Sequence, residues 1–319
     1  MQVFSLFSFI LLCQAADAFV GPQTRSTSMK WPCTDTRLCM STTSIPVKEK
    51  IRGGKLAGLL VNHRSTVDAL EKEAPGACSE IERLRLALQF DDYEKAREAM
   101  KERLAWRNGP GKSICEAAAA AVEAALAQDA WVNEPVYASA PHADRINRYI
   151  TPKSVMTLST DEGDLVYVIR ASLIDDKDLM DQVSVEEVGD YFLYAKEIHN
   201  LVADRRSVET GRLCQVIFAN DISGVRKAPD SRFSKALTSS SDQYEILYPS
   251  LAGPTMILNL PFILQAFVGL LKPLFPKSVQ ERLVFTKAPV LAKLKELTPL
   301  ANDPQTRAKF VAEIKLLLP

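Results

Sequence analysis

"LAGPTMILNLPFILQAFVGLL", residues 251–271, carries no Asp, Glu, Lys or Arg. As a single helix it would be long enough to cross a bilayer, for which about 20 apolar residues suffice. Two prolines argue against a single helix. The residue before a proline avoids the helical region, and an interior proline removes a backbone hydrogen bond. Pro254 and Pro261 therefore divide the stretch, so that "TMILNL" (255–260) reads as an extended strand and Pro261 opens a helix at its first turn. That helix, "FILQAFVGLLKPLF" (262–275), rises about 1.5 Å per residue and is too short for a hydrocarbon core about 30 Å thick. Its apolar side chains, Phe262, Ile263, Phe267, Leu270 and Leu271 among them, cover nearly the whole circumference, and only Gln265 and Lys272 are polar. A helix apolar all round is buried on every side or lies against lipid. Gly269 and Pro273 are weak points at which it could hinge.

Working outward, strands alternate with helices. "LVYVIRA" (165–171), "LCQVIF" (213–218) and "RLVFT" (282–286) read as strands beside "TMILNL". Between the first two, residues 185–205 place Val188, Phe192, Ala195, Ile198 and Val202 on one helical face, and 230–247 also read as helical. This alternation predicts parallel crossovers and an α/β fold, a mostly parallel sheet flanked by helices. Residues 288–318 predict a helical tail.

Ahead of the sheet the chain is helical. In residues 78–107, Ile81, Leu84, Leu88, Ala96, Met100 and Leu104 recur at helical spacing, Asp91-Asp92 supply an N-terminal cap for the second stretch, and 116–131 are alanine-rich. The expected organisation is an all-helical lobe over 49–135 followed by the sheet domain over 136–319. Between the helices, "WRNGPGKS" (106–113) imitates a phosphate-binding loop, but Trp106 stands where that loop needs its first glycine, and a helix precedes it instead of a strand. Gly109-Pro110-Gly111 is better read as an interhelical turn.

Composition excludes several classes. Lys+Arg and Asp+Glu are equal at 39 each, which argues against nucleic acid as a partner. The three histidines, His63, His142 and His199, are far apart and make no metal set. The six cysteines form no CxxC; Cys13, Cys33 and Cys39 lie in the first 48 residues, and free thiols in a reducing compartment fit Cys78, Cys115 and Cys214 best. A nucleotide-binding enzyme using Gly111-Lys112-Ser113 is the weakest of the readings.

At the start, "FSLFSFILLC" followed by "QAADAF" reads as a signal peptide over 1–18, with Ala16 and Ala18 placed for cleavage. Residues 19–48 are rich in Ser and Thr, with Arg25, Lys30, Arg37 and Lys48 against the single acid Asp35, the composition of a transit peptide. The pair resembles the bipartite plastid-targeting presequence of algae with secondary plastids, and implies a plastid location; an ordinary secreted protein is the alternative.

Four motifs in order resemble the CRAL-TRIO family of lipid-binding and lipid-exchange proteins, from about residue 78 to 286. They are "FDDYEKAREAMKERLAWR" (Phe90 to Arg107), "VIFANDISGV" with Asp221 and Gly224, "YPSLAGPTMILNLP" with Tyr248, Pro249, Asn259 and Pro261, and "FILQAFVGLLKPLF" ending in Lys272-Pro273. The resemblance implies a pocket between the sheet and a movable apolar gate helix, holding one phospholipid or isoprenoid and exchanging it at a membrane surface; it implies no covalent chemistry, so an enzyme is not expected. It assigns Val216, Phe218, Tyr248, Asn259, Phe262, Ile263, Phe267, Leu270, Leu271, Ser278 and Arg282 to the pocket and gate, and Phe267, Lys272 and Lys277 to membrane contact, in a monomer without cofactor or metal. Phosphoinositide-binding members carry a Thr and a Lys after the gate. Ser278 stands at the first, and Glu281, or Arg282 with one insertion, at the second. Phosphatidylcholine-binding members place hydroxyls where Val216 and Phe218 lie. Phosphatidic acid, a phosphoinositide, a carotenoid or a tocopherol all remain open as ligands. A scaffold that binds acidic lipids peripherally, without transfer, is the alternative function.

Overall fold

The computed structural model describes residues 54–90, 92–126, 133–261 and 282–318. The N-terminal lobe comprises α1 (Leu56–Glu73), α2 (Glu80–Gln89), α3 (Tyr93–Asn108) and α4 (Lys112–Leu126). α2 begins with a reciprocal cap. The Ser79 hydroxyl accepts the Glu82 N–H at 3.1 Å, and the Glu82 carboxylate accepts the Ser79 N–H at 2.7 Å, satisfying two donors that no helical carbonyl can reach. Asp92 caps α3 through the Glu94 N–H at 2.9 Å. The 109–111 turn links α3 to α4, and a Cβ on Gly111 would lie 2.4 Å from the Trp106 ring. This is a turn packed under an aromatic side chain, as the spacing predicts.

Two short helices, α5 (Glu134–Ala138) and α6 (Ala143–Ile146), lead into β1 (Val155–Ser159), β2 (Leu165–Arg170), α7 (Asp176–Met180), α8 (Val185–Thr210) and β3 (Val216–Asp221). Then follow α9 (Ser231–Asp242), α10 (Tyr244–Leu247), β4 (Ala252–Leu258), β5 (Leu283–Thr286), α11 (Pro289–Lys293), α12 (Thr298–Asn302) and α13 (Pro304–Leu317). The five-stranded sheet runs in the order β1-β2-β3-β4-β5. β1 and β2 are antiparallel and the remaining pairs are parallel. β1 has no counterpart among the expected strands. Met156 and Leu158 do alternate with Thr157 and Ser159, but over five residues that signal is too short to stand out.

Two strands are displaced from their expected bounds. β3 starts at Val216, not at 213, and carries Asp221 as its last residue. β4 starts at Ala252 and includes Pro254, which the sequence reading places before the strand. The pairing explains how a proline is accommodated there. Val216 opposes Ala252 and Phe218 opposes Thr255, so Gly253 and Pro254 together face Ile217. A bulge of this kind leaves one residue outside the ladder, where a missing N–H costs nothing. The expected helical tail is three helices, interrupted at 294–297 and at Asp303.

Each sheet face has its own core. On one face, Val155, Leu165, Val216 and the partly buried Tyr167 and Phe218 pack beneath α8 and α9. On the other, Met156, Val168, Ile217, Ala219 and Met256 pack beneath Leu291, Leu300, Phe310 and Ile314 of α11–α13. Burial on both faces is why the central strands read as continuous apolar runs. α4 covers the outer side of α8, with Ile114, Ala118, Ala121 and Val122 in the first core. Arg85 of α2, 1% exposed, ties the lobe to the sheet. It donates to Asp204 Oδ1 at 2.7 Å, the Cys214 carbonyl at 2.7 Å and the Ser250 carbonyl at 3.0 Å. Among the described residues, no helix is long and apolar enough to cross a membrane.

Candidate functional site

The C-terminal ends of β2, β3 and β4 meet at Asp221. Its carboxylate accepts the Arg170 Nε–H at 2.8 Å, the Asn259 side-chain N–H at 3.1 Å and the Ser223 backbone N–H at 3.1 Å. Arg170 also donates to the carbonyls of Leu291 and Leu294. Asn259 has a positive φ of 55°, a conformation Asn tolerates better than most residues. Its amide oxygen accepts the Ala288 N–H at 2.9 Å. Gly224, at φ 79°, turns the chain away from β3 beside Ser172. Through these contacts the Asp-X-X-Gly and Asn motifs lock three strand ends to α11.

Beside this lock lies a cavity of about 400 Å³. Tyr167, Ile169 and Asn220 of the sheet form its floor, Phe192, Phe233 and Leu237 one wall, and the loops 171–176 and 222–229 its rim. Its volume falls in the range of small-molecule sites, about 300–1,000 Å³. Two side pockets, about 30 Å³ and about 50 Å³, share Tyr167 with it. The surroundings are aromatic: Phe192 and Phe233 have ring centroids 5.9 Å apart, Tyr167 and Phe218 6.2 Å, and Phe218 and Tyr244 6.1 Å.

Away from the rim, where Arg226 and Lys227 stand, the polar groups are few and uncharged or already engaged. Burial pushes the Tyr167 phenol well above its ordinary value, so it stays neutral. Lys196 donates to the Ser240 carbonyl at 2.6 Å, and its ammonium lies 5.3 Å from the Tyr244 ring centre. His199 faces Tyr167 at 4.7 Å and shares a 2.9 Å hydrogen bond with the Thr157 hydroxyl. Burial, with a smaller contribution from Lys196, lowers the His199 pKa to about 3.

The His199 shift predicts a pH dependence. The unfolded chain takes up a proton below about pH 6.5 while the folded chain does not, so stability from this group is complete above that pH and is lost as the pH falls towards about 3. This single site should steepen the acid limb by about 1.4 kcal/mol per pH unit in that window. His199→Gln keeps a hydrogen-bonding side chain toward Thr157 and removes the titration. Urea unfolding at several pH values should therefore show a shallower acid limb for the variant, and parallel limbs would count against a neutral, buried His199.

The expected site residues divide into three groups. Phe218 borders the larger side pocket. Val216 is wholly buried in the core, and Tyr248 is buried with its hydroxyl donating to the Leu193 carbonyl at 3.2 Å. Asn259 spends both amide atoms in the lock, and Arg282 precedes β5, where its carbonyl accepts the Thr255 N–H at 2.8 Å. Phe262, Ile263, Phe267, Leu270, Leu271, Lys272, Lys277, Ser278 and Glu281 lie outside the described residues. The cavity is instead bounded by residues the sequence reading did not single out for it, chiefly Tyr167, Ile169, Asn220 and Phe233. A signal for one of them existed: Asn220 is two residues beyond the expected site residue Phe218, and period-two alternation places both on one face.

Residues 152–306 match the CRAL/TRIO domain model. The matched segment contains the whole sheet and every residue lining the cavity except Ile150, and begins after the helical lobe. Among solved structures, the crystal structure of Sfh5 is similar with a TM-score of 0.41 and 12% identity, covering 73% of this chain and 80% of that one. No curated protein matches the chain. The domain match supports a lipid-binding or lipid-transfer protein.

Proposed function

We propose that the protein holds one lipid-like molecule in the cavity above Tyr167, Ile169 and Asn220 and exchanges it at a membrane surface. The observation that carries this reading is the cavity itself. It is an aromatic and aliphatic chamber of about 400 Å³ inside the segment that matches a CRAL/TRIO domain. Apolar surface left open in a folded core forgoes about 25 cal/mol for each Å² that a ligand could cover, so a chamber of this kind favours an apolar occupant. The apolar segment 262–275, which the family resemblance assigns to a gate, is the cover in this proposal. Native mass spectrometry of the purified protein should show one bound lipid per chain, and fluorescent lipid should move between vesicles in its presence. Protein that is ligand-free after purification and inert in transfer would overturn the reading.

A second reading draws on the rim. Leu173 is 39% exposed, and Arg226 and Lys227 are exposed on the adjoining loop without an ion-pair partner among the described residues. A basic side chain near an anionic membrane contributes about 1 kcal/mol, so this rim also suits a peripheral scaffold. Vesicle flotation without transfer would favour it. For location we propose the plastid, on the strength of the leader composition. Residues 1–45 fused to a fluorescent protein should enter that organelle, and secretion would refute it.

A further inference from the structure

Asn220 is out of place in its strand. Its neighbours Val216, Ile217, Phe218 and Ala219 are apolar, and Asn is depleted in strands because it packs poorly on a pleated surface. The side chain is 4% exposed, borders both the main cavity and the larger side pocket, and donates its N–H to the Met256 carbonyl at 3.4 Å. Its amide oxygen has no hydrogen-bond partner among the described residues. Exchanging the amide oxygen and nitrogen would set two oxygens against each other at Met256, so the observed orientation is the favourable one. A buried acceptor without a donor is costly, and in a native structure it calls for an explanation.

Resting on the cavity reading, we infer that Asn220 receives a hydrogen bond from the ligand, and that the ligand is a neutral lipid carrying a hydroxyl. The surroundings discriminate between headgroups. Asp176, 8% exposed, borders the same cavity and already accepts the Asp230 N–H at 2.6 Å. Its carboxylate opposes a phosphate. The cations of the cavity, Arg226 and Lys227, belong to the exposed rim loop, and Lys196 of the side pocket is engaged with Ser240 and Tyr244. A phosphate drawn to Asn220 would lose its water without gaining a cation, whereas a hydroxyl loses little and supplies the missing donor. The polar end of the ligand therefore sits against the sheet at β3, with its apolar part among Ile169, Phe192 and Phe233.

Displacement of an apolar fluorescent dye by dodecanol, its methyl ether and dodecyl phosphate tests this. Dodecanol should bind wild-type protein at least tenfold more tightly than the ether, equivalent to about 1.4 kcal/mol, and more tightly than the phosphate. In Asn220→Leu, alcohol and ether should bind within twofold of each other, at the wild-type affinity for the ether. Equal binding of alcohol and ether to wild type, tighter binding of the phosphate, or a preference that survives in Asn220→Leu would overturn the assignment while the cavity reading stands. Displacement by none of the three would overturn the cavity reading itself. The wild-type comparison is decisive even if the variant does not fold.

Discussion

Replacing Asp221 by alanine is expected to destabilise the fold by about 3–5 kcal/mol, the range for removing one partner of a buried ion pair. Asp221 is wholly buried and Arg170 is 3% exposed. Without the carboxylate, the guanidinium keeps its bonds to the carbonyls of Leu291 and Leu294 but loses its counter-charge. Asn259 and the Ser223 N–H lose their acceptor as well, and each unmet buried donor adds about 1–3 kcal/mol in isolation. Neighbouring losses do not add, so the upper end of the range is the ceiling to expect. Urea unfolding should show a lower midpoint at unchanged slope, the signature of lost stability in an otherwise similar folded state. The double variant Arg170→Met, Asp221→Leu should recover part of the loss, because apolar replacement of both partners removes the stranded charge. A loss below about 1 kcal/mol for the alanine variant would show that water reaches the pair.

That lock also marks where sequence reasoning succeeds and where it stops. The order of β2 to β5 and the capped helical lobe were legible because they depend on local spacing and capping; of the proline reading of 251–271, the helix expected after Pro261 lies outside the described residues. Pro254 was misplaced because the restriction it imposes was read without its partner strand. A bulge opposite Ile217 is a property of two strands, and neither contains it alone. Asp221 and Asn259 were visible as motif residues, but whether they face a ligand or each other depends on how three strand ends converge. The cavity residues escaped for a related reason. Tyr167 and Ile169 look like ordinary strand residues, and only the packing of α8 and α9 leaves space above them. Asn220 escaped because the expected strand ended at Phe218; in β3 as it forms, Asn220 is a polar residue after an apolar run, a conflict between local propensity and surroundings of the kind that tends to mark function.

The cavity can be tested by filling it. Ile169 lies on the floor beside Asn220, its register partner in β3. Ile169→Trp would direct a large ring into empty space, so the overpacking penalty of about 1–3 kcal/mol that accompanies such a change in a close-packed core should be mostly avoided. Lipid recovered from the purified variant is expected to fall at least tenfold, since a tenfold loss needs only about 1.4 kcal/mol and the ring occupies the ligand's own place. Ile217→Trp is the control. Ile217 is 1% exposed on the opposite face, packed beneath the C-terminal helices, so the same ring there should lower the unfolding midpoint. The two substitutions add a ring to neighbouring strands of one sheet and differ in the face they enter. If they prove equally destabilising, the space above Tyr167 is closed in solution. If Ile169→Trp folds normally and still carries lipid at the wild-type level, the ligand is held elsewhere on the protein.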